Sequence, residues 1–214
     1  LEDPVEYHFD QIRQSQVNPR IGLTFATGLR AILRQDPDVI MVGEIRDSET
    51  ADIAVKSALT GHLVFSTLHT NDAVSALTRL ADMGVEPYLV SSAVQGILAQ
   101  RLARRVCPDC KVKYQPDVKL LKGLGINIEN SKLTFYRGKG CRRCKNTGFR
   151  GRIAIFEFLK MDDQLRRLVV EGKSAMEIKN EAIRRGMITL LKDGIRKTLK
   201  GLTTIEEVLR ITQL

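Results

Sequence analysis

Two short apolar runs with a helix-forming segment between them constrain the fold of this chain more than any other feature. The runs Val39–Val42 and Leu63–Phe65 are continuous and rich in β-branched residues. They are too short for helices, and such runs are typical of parallel strands buried on both faces. Between them, Ser48 can cap a helix that Gly61 ends. The segment from Arg34 to Asn71 therefore predicts a right-handed βαβ unit.

Charged and imidazole side chains flank the two predicted strands. Glu44 follows the first strand, His69 lies just past the second, and His62 directly precedes the second run. Ligands bind at the carboxyl edge of strands in open α/β sheets, and we expect Glu44 and both histidines at this edge. A structural alternative stays open, because a lone histidine near a strand end is usually a satisfied structural residue. His62 beside Gly61 can simply close the helix.

The composition indicates a globular protein of one large or two small domains. The 214 residues are 43% hydrophobic, no apolar run approaches the length of a membrane span, and no signal peptide opens the sequence. The chain begins at Leu1 without an initiator Met, so we expect it to be a piece of a longer protein.

Charge divides the chain into two regions. Residues 1–104 carry 9 Lys+Arg against 13 Asp+Glu, whereas residues 105–214 carry 25 against 12, a net of +13. Such a basic region attracts acidic proteins, an anionic membrane surface or nucleic acid, although a solvated surface without a partner explains it equally well.

A zinc-stabilised nucleic-acid-binding module is therefore an alternative from a different functional class. Against it, aromatic residues are only 5% of the chain, and Phe135, Tyr136 and Phe149 form no obvious stacking series. Titration with labelled DNA at moderate salt distinguishes the classes, because a nucleic-acid module would bind tightly and in a salt-sensitive way.

Two Cys-x-x-Cys pairs, separated by 30 residues, indicate a structural zinc site with four thiolate ligands, Cys107, Cys110, Cys141 and Cys144. Four thiolates leave no open coordination position, so the predicted zinc is structural rather than catalytic. Two redox pairs, or disulfides formed after metal loss, are the alternatives.

A long helix is predicted from Pro87 through Leu102, because Pro suits a first helical turn and apolar residues recur beyond it.

The opening residues are acidic, with Glu2, Asp3 and Glu6 around a proline that blocks a helix. Taken alone, this acidic stretch reads as a charged loop.

Three segments together resemble the secretion ATPase superfamily, the motors of type II secretion, type IV pili and type IV secretion. Glu2–Tyr7 is similar to its Asp box, Asp38–Asp47 to its atypical Walker B segment, and Gly61–Asn71 to its His box. The two Cys-x-x-Cys pairs narrow the resemblance to the GspE-type ATPases of type II secretion and their siblings, the type IV pilus assembly ATPases. Two further segments, Asp82–Ser92 and Leu98–Leu102, look more like the secretion member.

The resemblance implies an α/β fold built on a RecA-like P-loop ATPase core, with a mostly parallel sheet flanked by helices. Residues 1–104 would form this core without its Walker A portion, residues 105–159 an inserted tetracysteine zinc subdomain, and residues 160–214 a C-terminal helical subdomain.

It also implies roles for the site residues. Glu6 would orient or deprotonate the attacking water, and Glu44 would act through Mg²⁺ and its water shell. His62 and His69 would sense the γ-phosphate of ATP, with Glu2 and Asp3 as further acidic candidates. Gly43 stands where most P-loop ATPases carry a metal-binding Asp, which matches the superfamily's own variant.

The implied whole protein is a homohexameric motor, cytoplasmic and peripheral to the bacterial inner membrane. Its expected partners are the inner-membrane platform and cytoplasmic-domain proteins of the secretion system, with an anionic membrane surface as a further contact and no specific nucleic acid. The 214 residues contain no Gly-x-x-x-x-Gly-Lys-Ser/Thr pattern, the loop that holds the phosphates of ATP in P-loop enzymes. We therefore expect no ATP hydrolysis by these residues alone.

Overall fold

The structure, a computed structural model, describes residues 1–124 and 133–212. The chain divides into two compact units, each made of two stretches of sequence. The first unit comprises Leu1–Ile97 and Leu159–Arg185, and the second comprises Leu98–Phe158 and Gly186–Leu214. The three-part functional division at residues 104 and 159 stays a prediction, and these compact units cut across it.

Helices and strands alternate through the first part of the chain and helices end it. In chain order the elements are α1 (Phe25–Leu33), β1 (Val39–Val42), α2 (Ser48–Leu59), β2 (Leu63–Ser66), α3 (Ala73–Asp82), α4 (Pro87–Ala93), β3 (Gly96–Val106), β4 (Lys111–Tyr114), α5 (Val118–Gly123), β5 (Phe135–Gly138), β6 (Phe149–Lys160), α6 (Asp163–Val170), α7 (Ala175–Arg184), α8 (Leu190–Leu199) and α9 (Ile205–Thr212).

The first unit contains the predicted βαβ arrangement. Strands β1 and β2 pair in parallel, with Val39 opposite Leu63 and Val42 opposite Ser66. Helix α2 connects them and packs against α1 and α4. Its cap is Asp47 rather than Ser48, since the Asp47 carboxylate accepts the backbone N–H of Thr50 at 2.7 Å.

Within the described residues only one face of the strand pair is buried, and the expected burial of the second face is not met there. Ile40 and Val42 are buried, but the alternating side chains point to solvent, with Met41 and Phe65 both 54% exposed. Val39 and Leu63 join them, and the strand register places these four side chains on one face of the pair. We call Val39, Met41, Leu63 and Phe65 the open apolar face, and nothing in the described part of the chain covers it.

Substituting Met41 and Phe65 with Gln and Thr is expected to leave stability almost unchanged, within about 1 kcal/mol, because both side chains are already half exposed. The double variant should bind less of a hydrophobic dye and self-associate less, measured by dye fluorescence and size-exclusion chromatography. Ile40→Gln is the matched control: this neighbour is 2% exposed, and its substitution should destabilise the unit by about 3 kcal/mol or more. Equal effects of both changes would contradict the exposed position of the face.

The long helix predicted from Pro87 to Leu102 is also wrong. Helix α4 ends at Ala93, and the next residues form strand β3, in which Leu98 and Leu102 are exposed while Ala103 is buried. Alternation with a period of two, stabilised by pairing with distant β6, overrides the helical spacing of apolar residues.

Two antiparallel ribbons follow in the chain: the long β3–β6 pair, most of which lies in the second unit, and the short β4–β5 pair, which lies entirely within that unit. The Met161 N–H bonds to Gln95 O, and the Cys107 N–H to Gly148 O, so β3 and β6 run in opposite directions. Strands β4 and β5 pair antiparallel as well. Helices α8 and α9 pack together, and two apolar clusters fill this unit, formed by Ala103, Ile155, Leu190 and Ile211 and by Leu121, Phe135 and Ile205.

The α/β class is therefore confirmed. The strand pair β1–β2 in the predicted core is parallel, whereas β3 with β6 and β4 with β5 form antiparallel pairs. No helix within residues 1–124 and 133–212 has the length and apolar character needed to cross a membrane.

Candidate functional site

Glu44 lies at the carboxyl end of β1 and is the centre of a charged cluster. Its side chain is 13% exposed, and each carboxylate oxygen has a partner. His69 Nε2 lies 3.0 Å from one oxygen, and Arg46 Nη2 donates to the other. Arg46 Nη1 also reaches Asp3 at 3.4 Å. The fold thus assembles two carboxylates, a guanidinium and an imidazole at one sheet edge.

Backbone bonds hold the two loops of this cluster together. Thr67 Oγ1 donates to Gly43 O at 2.6 Å, and the Ile45 N–H donates to Thr67 O at 3.0 Å. The Gly43 N–H donates to Leu1 O at 2.8 Å, and a Cβ at this position would lie only 3.1 Å from that oxygen. A side chain at Gly43 would therefore crowd the neighbouring backbone, which explains glycine before Glu44.

The cluster favours an ionised carboxylate. The hydrogen bond from Arg46 is the main reason that the pKa of Glu44 lies below its ordinary value; the bond from His69 lowers it further, and burial opposes both. Glu44 in turn raises the pKa of Arg46. His69 is 87% exposed, so its ring is accessible to a ligand while it contacts Glu44. Such a group can orient water or a hydrated cation and respond to a nearby anion.

The acidic opening segment joins this cluster only in part. Asp3 reaches it through Arg46, whereas Glu2 accepts a hydrogen bond from Gln14 at 2.7 Å. Glu6 is exposed and has no side-chain partner within the described residues. No role was predicted for Arg46, although this residue connects Asp3 to Glu44. The only sign of its role in the sequence is its position two residues after Glu44.

The expected position of His62 is wrong. It precedes β2, whose first residue pairs with the first residue of β1, so His62 lies at the amino edge of the pair. A four-residue strand spans ~13 Å, which separates it from the edge that carries Glu44. Its Nδ1 instead lies 3.0 Å from Ser57 O and 3.2 Å from Thr60 Oγ1, at the end of α2.

The four cysteines form a compact cluster in the second unit. Cys107 and Cys141 Sγ are 3.9 Å apart, as are Cys110 and Cys144 Sγ, and Cys141 and Cys144 Sγ are 3.7 Å apart. All four sulfurs lie within 4.8 Å of one another. A tetrahedron with metal–sulfur bonds of ~2.3 Å has edges of ~3.8 Å, whereas a disulfide bond is ~2.05 Å long. The spacing fits four ligands around one metal ion and not two disulfides.

The thiols differ in their readiness to ionise. Burial, reinforced by the neighbouring thiols, raises the pKa of Cys110 to about 12. Burial also acts to raise the pKa of Cys144. The backbone N–H groups of Cys141 and Gly148 oppose this effect by donating to the Cys144 sulfur at 3.2 and 3.3 Å, and the pKa is lowered to about 6. Four adjacent thiolates therefore need a bound cation to coexist, as in a structural metal site.

Comparisons with known proteins agree along the whole chain. A family model described as "Type II/IV secretion system protein" matches residues 1–210. The type IV pilus assembly ATPase PilB of Thermus thermophilus is 59% identical over 215 residues, covering 99% of this chain and 24% of that protein. The type II secretion system protein E of Pseudomonas aeruginosa is 53% identical over 213 residues, covering 100% of this chain and 42% of that protein. The chain spans less than half the length of these relatives.

A solved structure has a similar fold. The pilus retraction motor PilT with bound ADP superposes with a TM-score of 0.67 at 30% sequence identity, covering 98% of this chain and 50% of that one. Thus the likeness includes both the sheet edge with Glu44 and the region that carries the cysteines.

Proposed function

This chain belongs to the family of type II/IV secretion system proteins, and on that premise we propose that it is the C-terminal part of an ATPase motor. The observation that carries the proposal is the Glu44 cluster: a largely buried carboxylate, held by Arg46 and His69, at the carboxyl edge of a parallel strand pair. Relatives named as secretion and pilus assembly ATPases are similar to the chain over nearly its whole length.

The core of this motor is RecA-like. Parallel sheets are covered on both faces in α/β proteins, and the open apolar face is therefore covered in the whole protein by elements outside these 214 residues. Those elements include the P-loop. Its backbone N–H groups and lysine hold the phosphates of ATP in P-loop enzymes.

The charged cluster is the acidic half of the catalytic centre. Mg²⁺, when bound with ATP, neutralises charge on the phosphates. Both oxygens of Glu44 already have partners, which suits contact with a hydrated ion through water rather than direct ligation. Glu6, exposed and unpaired among the described residues, is the candidate for orienting the attacking water.

The remaining site residues have supporting roles. His69 senses the γ-phosphate: its exposed ring is accessible to a ligand, and its contact with Glu44 joins it to the charged cluster. Asp3 acts through Arg46, and Glu2 shapes the acidic segment through Gln14. His62 closes the end of α2 and has no assigned contact with phosphate.

The four-cysteine cluster holds a structural Zn²⁺. The donor set of four sulfurs and their spacing support zinc over the harder cations Mg²⁺ and Ca²⁺, which take oxygen ligands.

The motor serves type II secretion, with pilus assembly as the alternative. Identity to named members of the two groups is similar, so the preference rests on the segments Asp82–Ser92 and Leu98–Leu102. Complementation distinguishes the two functions. The whole gene should restore export in a strain that lacks the secretion ATPase, and it should not restore pili in a strain that lacks the pilus assembly ATPase. Restoration of pili alone would overturn the preference.

The whole protein works as a cytoplasmic homohexamer at the inner membrane. The second compact unit supports the contact with the membrane, because its two stretches carry 20 Lys+Arg against 7 Asp+Glu. Such a surface suits anionic lipid headgroups and acidic patches on the membrane platform and cytoplasmic-domain proteins.

The 214 residues alone are expected to release no phosphate from ATP above the background rate, since they contain no P-loop sequence. A coupled phosphate-release assay with Mg²⁺ checks this. The control is the whole protein under the same conditions, which should turn over. ATP hydrolysis by the 214 residues would contradict the proposal that they carry only part of the catalytic centre. An inactive whole protein would contradict the proposal that it is an ATPase motor.

A further inference from the structure

A cavity whose lining residues are remote in sequence from the Glu44 cluster lies entirely within the second unit. It measures about 370 Å³, and three arginines line it: Arg104 from the end of β3, Arg137 from β5 and Arg210 from α9. Volumes of ~300–1,000 Å³ are usual for small-molecule sites, so the cavity accommodates a small anionic group with its substituent.

A buried carboxylate fixes two of these arginines in place. Glu207 has a fully buried side chain, and its Oε2 accepts bonds from Arg104 Nε at 3.0 Å and Nη2 at 2.8 Å. Arg210 donates from Nε at 2.9 Å and from Nη2 at 2.7 Å. The backbone N–H of Arg104 adds a further bond at 2.9 Å. Both guanidiniums are therefore preorganised before any ligand arrives.

This network leaves positive charge and donors unused. The carboxylate of Glu207 bonds to the guanidiniums of Arg104 and Arg210, whose side chains are each about half exposed. Each guanidinium uses two of its five N–H groups in these bonds. Arg137 adds a third charge and makes no ion pair with any described residue. The other acid in the lining, Glu206, accepts a hydrogen bond from the Tyr114 hydroxyl at 2.9 Å, and the three arginines and two acids of the lining together carry a formal charge of +1.

Aromatic rings lie beside two of the guanidiniums. Arg104 lies 4.4 Å from the ring centre of Phe149, and Arg137 lies 5.5 Å from that of Tyr114. A guanidinium stacked on a ring keeps its N–H edge free for in-plane donation. Three arginines thus line one cavity, and a buried acid holds two of them in place.

We infer that this cavity binds a phosphate group, carried by a small soluble phosphate ester or by a phospholipid headgroup. Three guanidiniums from separate elements match the several oxygens of a tetrahedral phosphate better than the two oxygens of a planar carboxylate. A structural ion-pair network alone would explain Glu207 with its two arginines, but not the unpaired Arg137 on the same cavity.

The test compares Arg137→Gln with Lys139→Gln in the zinc-loaded 214-residue chain. Each variant removes one exposed positive charge from the same strand region, but only Arg137 lines the cavity. Isothermal titration with glycerol 3-phosphate and flotation with phosphatidylglycerol vesicles report the two ligand sources, and phosphatidylcholine vesicles and glutarate serve as ligand controls. We expect Arg137→Gln to weaken binding by at least about 10-fold and Lys139→Gln to leave it nearly unchanged.

Each possible result of the binding experiments either supports the phosphate site or overturns it. Arg137-dependent binding of glycerol 3-phosphate supports the site and identifies a soluble ligand; the same dependence with anionic vesicles alone supports it and identifies a lipid. Equal weakening by both variants would mean diffuse attraction to a basic surface and would overturn the inference. So would equal affinity for glutarate, or no binding of either phosphate probe. Melting temperatures of the two variants, expected to match wild type, exclude misfolding as the cause.

Discussion

Replacing Cys107 with serine is expected to remove the metal from the four-cysteine cluster and unfold the second unit, while the β1–β2 pair keeps its structure. Cys107 is fully buried, and its sulfur lies 3.9 Å from that of Cys141, so its loss removes one of the four clustered sulfur ligands. Zinc binding contributes ~10 kcal/mol or more in small zinc domains, as much as the whole stability of many domains. Metal analysis should fall from about one zinc per chain to none.

Hydrogen exchange locates the effect of this change. Amides of β4, β5 and the start of β6 should lose protection, whereas those of α2 and α3 should keep it. Arg143→Gln is the matched control beside the cluster, since it breaks the exposed ion pair with Asp109 but removes no ligand. It should cost under about 1 kcal/mol. A wild-type chain without zinc, or a Cys107→Ser protein with wild-type protection, would refute the structural metal site.

Substituting Glu44 with Gln in the whole protein should reduce ATP hydrolysis by about 100-fold or more while nucleotide binding persists. The amide keeps the shape of the side chain but removes the negative charge that faces Arg46 and His69. Steady-state phosphate release measures the loss, and binding of a fluorescent nucleotide tests whether the site still forms.

Glu49→Gln provides the control for this substitution. Glu49 lies on α2, is 57% exposed and pairs with Arg30 at 2.6 Å, so its loss should change the rate by less than about two-fold. The pH profile adds a second check. Because Arg46 lowers the pKa of Glu44, the carboxylate stays ionised as pH falls from neutral to mildly acidic values. Any loss of activity in that range must come from another group, and a Glu44→Gln protein with normal turnover would exclude the catalytic role.

Local patterns predicted the parts of the molecule that depend on neighbouring residues. The βαβ unit followed from two apolar runs, and the cysteine cluster followed from paired knuckles whose ligands are three residues apart. The position of Glu44 beside His69 followed from the direction of parallel strands. In each case the controlling interaction lies within one supersecondary unit or one metal site.

The errors arose where distant partners decide the structure. Strand β3 carries apolar residues at helical spacing, and only its pairing with β6 makes it extended. His62 was assigned to the wrong edge because residues that precede and follow a strand lie at opposite ends of it. The Glu207 network joins residues 103 positions apart, and no local pattern signals it.

The division of each compact unit into two stretches of sequence has a consequence for synthesis on the ribosome. The first unit needs α7, where Lys179 pairs with Asp72 at 2.6 Å, and the second needs α9 with Glu207. Neither can be completed while only the first half of the chain has emerged, so these units do not fold one after the other as most domains do. The four cysteines, in contrast, all lie between residues 107 and 144. Pairing of β4 with β5 and metal capture are therefore the first long-range closures that the nascent chain can complete in the second unit.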